Sequence, residues 1–251
     1  MITSKNNNQY KRIKKLLSSS KTRREEGRFV VEGERIVKEA PLELLDSVCM
    51  SASCAEGLKL PSGVTVFSDD IFRSLSDTVT PQGVMAVIKQ PSYTLGGIIG
   101  QAGETESALY LLLDDIRDPG NLGTIVRTAE AAGVSGIILS PGCADIFNPK
   151  VIRSTMGSIY RVPFVISPLK EAADSLKKSG AAVYAACLEA ELYYNEAEYG
   201  RRCAFIIGNE ARGISPDVLE TADIKIKIPM AGEVESLNAA ISAAIIMYGT
   251  K

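Results

Sequence analysis

A chain of 251 residues exceeds the usual single-domain size, and two α/β domains are expected here rather than one large one. With 45% hydrophobic and 23% charged residues and no apolar run long enough to cross a bilayer, the composition is globular and excludes a helical membrane span. Zero His, with Cys49, Cys54, Cys143, Cys187 and Cys203 scattered singly, excludes a disulfide framework and argues against a zinc site. No metal is expected, and any catalysis must do without the commonest general base.

The net charge of −2 hides an asymmetry: residues 1–38 hold 11 Lys/Arg against 4 Asp/Glu, a net +7, which leaves −9 for the remainder. A basic front suits phosphate backbones, where each neutralised phosphate releases counterions. Taken alone, such a run reads as a solvated helix. The stretch "MITSKNNNQYKRIKK" lacks the apolar centre of a secretory signal, and the protein is expected in the cytoplasm.

In chain order, the periodicity predicts a helix from about Asn8 to Ser18, a strand over "RFVVEG" and a helix over "ERIVKEA" ending before Pro41. Strands near "SVCMSA" and at "VTVFS", a helix "DDIFRSLSD" and a strand "GVMAVIK" follow. These form a small α/β domain over residues 1–89, with the basic segment at its front. Residues 90–107, rich in Pro, Gly and small polar residues, read as a linker with room for a short helix.

From Ala108 the pattern restarts with longer apolar strands, "ALYLLLDD", "GVSGIILS", "AAVYAACL" and "CAFIIG", then a shorter "IKIKIP". Near-continuous Leu, Ile and Val indicate strands buried on both faces of a parallel sheet. Helices are expected over "NLGTIVRTAEAAG", "NPKVIRSTMGS", "PLKEAADSLKKSG", "SPDVLETA" and "SLNAAISAAIIMYG". The second domain, residues 108–251, is thus α/β and doubly wound in character.

Ligands of such sheets bind beyond the C-terminal ends of strands, and three loops there are unusual. The first, Asp114 to Gly123, carries three acids, an Arg, a Pro, an Asn and two Gly; Pro119 and Asn121 suit a turn opening a helix, with Arg127 beneath it. Alone, this is an Asn cap and a surface Arg. The second, "FIIGNEARGIS", sets Gly208 and Gly213 around Glu210 and Arg212, where backbone amides can approach a ligand. It is neither a dinucleotide fingerprint nor a P-loop. In the third, Pro229 ends a strand and Ser236 reads as the cap of the last helix, with Asn238 in its first turn.

The three loops together, an Asp-Pro-x-Asn-x-Gly turn with an Arg six residues beyond the Asn, a Gly-x-Glu-x-x-Gly turn after a strand, and Ile-Pro-Met followed by Ser-Leu-Asn, resemble the motifs of the SpoU (TrmH-like) RNA ribose 2′-O-methyltransferases of the SPOUT superfamily. The resemblance covers about residues 109–248, and "REEGRFVVEGERIVKEA" is similar to that family's ribosomal-protein-like substrate-binding domain. It implies a SPOUT-type parallel-sheet domain with a C-terminal trefoil knot, preceded by a small α/β substrate-binding domain, and a homodimer. It further implies S-adenosyl-L-methionine held by Gly208, Ile228, Met230 and Leu237, with Asn121, Arg127, Glu210, Ser236 and Asn238 as catalytic residues.

The implied reaction moves a methyl group from a sulfonium to a ribose 2′-oxygen, for which alignment is a large part of the task. A guanidinium normally only donates hydrogen bonds, so Arg127 is read as binding the target phosphate or the emerging 2′-oxyanion. The proton would go to Glu210, to solvent or to a transiently neutral Arg, while Asn121 and Asn238 orient the ribose or neighbouring side chains. Glu210 bracing its own loop is the other reading. The 2′-hydroxyl makes RNA the partner, ribosomal RNA of the large subunit ahead of tRNA because of the extra N-terminal domain. A non-catalytic RNA-binding or ribosome-assembly protein on the same fold is the rival; a nicotinamide dehydrogenase would lack its glycine fingerprint.

Overall fold

A computed structural model describes residues 1–57, 63–101, 103 and 107–250; residues 102 and 104–106 of the predicted linker lie outside them. The chain divides into two units, Met1–Pro91 with Phe147–Tyr160, and Ser92–Ile146 with Arg161–Lys251.

The first unit opens with α1 (Asn8–Ser18), α2 (Ser20–Glu26), β1 (Arg28–Glu32), α3 (Glu34–Lys38) and β2 (Leu45–Ser51). It continues with α4 (Ala52–Ala55), β3 (Val64–Phe67), α5 (Asp69–Leu75) and β4 (Val84–Lys89). Asn7 caps α1 by accepting from the Gln9 amide. Tyr10, Ile13, Leu16 and Leu17 then recur at helical spacing and join a core with Val30, Phe67, Phe72 and Met85. The sheet runs β1-β4-β2-β3, antiparallel except for the parallel β2–β3 pair. The helix α2 was not foreseen, because an all-polar "SKTRREE" has no apolar period. Its signals are the Ser19 side chain accepting from the Thr22 amide and Gly27 in the left-handed region at φ 60°.

Part of the basic front proves to be internal. Arg23 is only 3% exposed, and its guanidinium donates to the Leu16 and Leu17 carbonyls at 2.6 and 3.2 Å, satisfying the end of α1. Arg12 and Arg28 converge on Asp46 at 3.2 and 3.1 Å. Lys11, Lys15 and Arg24 stay exposed and free to face a polyanion. Burial works against the charged form of Asp46, but the hydrogen bonds from Arg28 and Arg12 outweigh it and hold its carboxyl below the usual range. A depressed folded-state value stabilises above the unfolded carboxylate value of about 4 and is lost as pH falls through the lower folded value. Asp46→Asn is therefore expected to cost about 1 kcal/mol in urea melts at pH 7, with the gap to wild type closing as the melts are repeated at pH 4 and below.

The second unit begins with α6 (Leu95–Gln101), β5 (Ala108–Leu113), α7 (Pro119–Ala131) and β6 (Gly136–Leu139). The next helix, α8 (Pro149–Thr155), packs with the first unit although chain order sets it inside the second. The Phe147 ring lies 4.8 Å from that of Phe29, and the Tyr160 hydroxyl donates to the Ile36 carbonyl at 3.2 Å. The second unit resumes with β7 (Phe164–Ile166), α9 (Leu169–Lys178), β8 (Ala182–Ala186), β9 (Leu192–Tyr193) and β10 (Arg202–Ile207). It ends with α10 (Pro216–Leu219), β11 (Ile224–Lys227) and α11 (Ala239–Gly249).

Its sheet is parallel throughout, ordered β7-β6-β5-β10-β8-β11-β9. The central strands are the apolar runs of the sequence, and β10 is buried from Cys203 to Ile207. The edge strands β7 and β9 were not anticipated, since three and two residues give no periodic signal. The chain leaves β5 toward β6 on one side, while β10 lies against its other side. That reversal opens a crevice beyond the ends of β5 and β10, the expected place for a ligand.

Candidate active site

Most polar groups of the loop after β5 brace the crevice. Asp114, 6% exposed, accepts from both the amide and the hydroxyl of Ser215 at 2.7 Å, anchoring the loop that follows β10. Asp115 takes the left-handed conformation at φ 57°; its amide donates to the Ser140 hydroxyl at 2.9 Å and its carbonyl accepts from the Asn209 side chain at 2.9 Å. Its carboxylate accepts from Arg117 at 2.9 Å. Asp118 accepts from the Asn121 amide at 2.8 Å and so caps α7, with Pro119 in the first turn. Asp114→Ala would strand two donors at one buried anchor. The expected cost is about 2 kcal/mol in chemical denaturation, with Asp114→Asn, which keeps one acceptor, losing less.

Because Asp118 is the cap, the Asn121 side chain is not spent on its helix, contrary to the simple reading of the turn. Its Nδ2 donates to Glu210 Oε1, and its Oδ1 accepts from Asn238 Nδ2 at 2.9 Å. Asn238 is itself the cap of α11, its Oδ1 accepting from the Ala240 and Ile241 amides at 2.9 and 3.3 Å. Ser236, expected in that place, is exposed and lies outside the helix. A continuous chain, Asn238 to Asn121 to Glu210, thus joins the loops after β11, β5 and β10 and determines which way both amides point.

Arg127 stands apart from that chain. It lies six residues beyond Asn121, about 9 Å along the axis of α7, and is exposed; among the described residues its guanidinium has no hydrogen-bond or ion-pair partner. The loop therefore does not hold Arg127 by any direct bond.

Beside the chain lies a pocket of about 510 Å³. Gly208, Ile228 and Leu237, expected at the cofactor, are all on its walls, with Glu210 and Ser236; Met230 is not, Ile228 being the last residue of the β11 extension to face it. Asn209 and Gly213 exchange backbone hydrogen bonds of 3.0 and 2.9 Å, closing the "GNEARG" turn on itself. A Cβ at Gly208 would stand 2.3–2.5 Å from backbone atoms of Gly213 and Ile214. Gly208 is thus required by the turn's own closure. The loop after β8, Cys187 to Glu189, also lines the pocket. The sequence reading passed over it, although it follows a buried strand and the strand-end rule could have found it. Burial, then the charge of Glu189, pushes the Cys187 thiol up.

A parallel sheet with a ligand-sized pocket at its strand ends defines an α/β domain built to hold a small organic molecule. Residues 108–248 match the SpoU rRNA Methylase family and residues 7–86 the MRM3-like substrate binding domain. The chain is 35% identical to the 23S rRNA (guanosine(2553)-2′-O)-methyltransferase RlmP of Bacillus subtilis, over 98% of this chain and 97% of that protein. Among solved structures it is similar to the AdoMet-bound rRNA methyltransferase of Sinorhizobium meliloti, with a TM-score of 0.87, 29% identity and coverage of 99% and 96%. It is likewise similar to the SpoU methyltransferase AviRb of Streptomyces viridochromogenes in complex with AdoMet, with a TM-score of 0.83, 25% identity and coverage of 97% of each chain. The chain belongs to the SpoU rRNA methylase family. It is an S-adenosylmethionine-dependent RNA methyltransferase with the SPOUT fold.

The pocket suits that cofactor. Ile207, Ile226 and Ile228 would supply apolar wall for a heterocycle, the turn at Gly208 would bring backbone into reach, and Glu189, Glu210 and Glu235 line the pocket with carboxylates that suit the positive charge of a sulfonium. The volume lies within the roughly 300–1,000 Å³ usual for small-molecule sites.

Proposed function

We propose that this enzyme methylates a ribose 2′-hydroxyl of large-subunit ribosomal RNA, using Asn121, Arg127, Glu210, Ser236 and Asn238. The observation that carries the reading is the hydrogen-bonded chain from Asn238 through Asn121 to Glu210, set at the rim of a pocket walled by Gly208, Ile228 and Leu237. The RNA class is supported by the relative from Bacillus subtilis, whose name specifies 23S rRNA and a 2′-oxygen, and by the match of residues 7–86 to a substrate-binding domain.

When bound, S-adenosylmethionine supplies a methyl group already attached to a good leaving group. The protein's own task is then alignment, a hydrogen-bond donor for the forming oxyanion, and a destination for one proton. Asn238 and Asn121 hold one another's amides, so a ribose meets groups whose direction is already decided. Glu210 keeps one oxygen on Asn121 and has a second that accepts nothing among the described residues; that oxygen takes the 2′-hydroxyl proton. Arg127, exposed and unpaired, donates to the adjoining phosphate and the developing oxyanion. Ser236, on the pocket wall, would donate to the cofactor when it is bound.

The test is transfer of tritiated methyl from S-adenosylmethionine to total RNA of a strain lacking the protein, followed by mapping of sites protected from alkaline cleavage. One protected ribose in large-subunit RNA is the expected result. Label confined to tRNA would overturn the choice of RNA, and no label despite bound cofactor would overturn the activity. We extend the reading to a homodimer, in which a second copy covers Ile241 and Tyr248, half-exposed on α11. Light scattering at twice the monomer mass is the expected outcome; a monomer at micromolar concentration would refute it.

A further inference from the structure

We propose that a second pocket, within the N-terminal unit, receives an unstacked nucleobase of the RNA substrate, one with a ring N–H beside a carbonyl, and that Glu32 reads it. The inference rests on the RNA-methyltransferase reading above and extends it to substrate selection.

The pocket has a volume of about 280 Å³, and its walls include Glu32, Gly33, Ile36, Gln82, Arg153 and Met156. Glu32 ends β1. Its Oε1 accepts from the Ser76 hydroxyl at 2.5 Å and from the Thr78 hydroxyl at 2.9 Å, which fills both lone pairs and locks the side chain. Among the described residues its Oε2 has no partner. The Gln82 Oε1 accepts from the Glu34 amide at 2.8 Å, so the orientation of that amide is settled and its NH₂ group is left over. The Arg153 guanidinium also lacks a partner among the described residues. Gly33, at φ 117°, adds no side chain between them, and a Cβ there would press on Gln82 at 3.1 Å.

The cavity therefore offers one oriented acceptor, donors from Gln82 and Arg153, and aliphatic surface from Ile36 and the 43%-exposed Met156. Arg35, also on the wall, is held by Glu39 at 2.8 Å; a phosphate would satisfy Arg153 but would set its charge against the Glu32 carboxylate and leave the aliphatic wall uncovered. A flat heterocycle is a good one if it presents a ring N–H to Glu32 and a carbonyl to a neighbouring donor. Guanine, through N1–H and O6, and uracil, through N3–H and O4, share that pattern; adenine and cytosine offer only an exocyclic amine beside a ring nitrogen, a less acidic N–H and so a weaker donor to a carboxylate. Recognition by hydrogen bonds also suits a chain with no Trp and only 6% aromatic residues. Unpaired bases are where proteins read RNA sequence, so Glu32 is placed as a specificity-determining residue.

The variant of choice is Glu32→Gln, whose amide oxygen still accepts from Ser76 and Thr78 while the free acceptor becomes a donor. The intact protein, labelled at methionine methyl groups, is titrated with GMP, UMP, AMP and CMP while the Met156 signal is followed by NMR. Shifts with GMP or with UMP, but not with AMP or CMP, that vanish in Glu32→Gln are expected, and the responding nucleotide names the base. Equal shifts with all four, or none, would overturn the pocket. In methyl transfer to ribosomal RNA, the variant is expected to raise KM about tenfold with kcat and cofactor affinity held, the size of one lost base contact. An unchanged KM would overturn the inference while leaving the activity standing. Should the wild-type protein methylate no RNA, the proposed function fails, and the nucleotide titration, which requires no turnover, still decides for or against the pocket.

Discussion

Arg127→Ala is expected to lower kcat about 10²–10³-fold, the usual loss when one donor to a developing oxyanion is removed. Three observations make the variant informative. The side chain is exposed and has no partner among the described residues, so its removal should change stability by no more than about 0.5 kcal/mol. It is separate from the walls of the 510 Å³ pocket, so the affinity for S-adenosylmethionine should match that of wild type. Loss of a phosphate contact would weaken RNA binding modestly and flatten its salt dependence. Single-turnover rates, cofactor calorimetry and filter binding separate these effects. Arg127→Lys should recover only part of the rate, since a point charge replaces a planar fork of donors. Unchanged single-turnover rates in Arg127→Ala would remove this residue from the reaction.

Gly208→Ala is expected to weaken S-adenosylmethionine binding and to slow methyl transfer about a hundredfold, the scale on which displacements of about 1 Å are felt in preorganised sites. The added Cβ would meet the Gly213 carbonyl carbon at 2.3 Å, the Ile214 nitrogen at 2.4 Å and the Gly213 oxygen at 2.5 Å. All three are backbone atoms, so no side-chain rotation relieves the clash. Relief requires the Asn209–Gly213 pairing to open, which moves Glu210 between its two ends and with it the partner of Asn121. The strain should also cost about 1–3 kcal/mol of stability. Gly232→Ala is the control, since a Cβ there meets nothing within 4 Å. Calorimetric titration of the cofactor against both variants is the measurement, and wild-type affinity in Gly208→Ala would show that this turn yields more readily than its packing implies.

Much of the architecture was legible in the sequence because burial leaves a periodic trace. The helix Asn8–Ser18 was anticipated at about its observed bounds, in a basic run punctuated by Leu16 and Leu17. The strands β5, β8 and β10 stand out as apolar runs because a parallel sheet buries both faces. Where no such trace exists, reading failed. The polar α2 and the edge strands β7 and β9 owe their conformation to a cap and to neighbouring strands rather than to periodicity. Helix starts were misplaced for a related reason: Asn121 and Ser236 are both good caps by residue type, yet Asp118 and Asn238 do the capping. Local propensity cannot rank several capping residues standing within a few positions of one another.

What the sequence determined by itself is the inventory: two α/β segments, a basic front, no histidine, and three polar loops following buried strands. Those depend on residue type and short spacing, and they sufficed for the α/β class; the chemistry came from the resemblance of the three loops, taken together, to a known family. Tertiary structure alone decided how each polar group is spent. Asp114 and Asp115 brace the loops, Arg23 closes a helix end, and Gly208 makes room for its own turn. The Asn121 side chain, released by Asp118, joins Glu210 and Asn238, 89 and 117 residues further along the chain. Hydrogen bonds over such separations exist only because parallel strands bring the ends of β5, β10 and β11 to one side of a sheet, and no local pattern encodes which of a loop's acids will face inward.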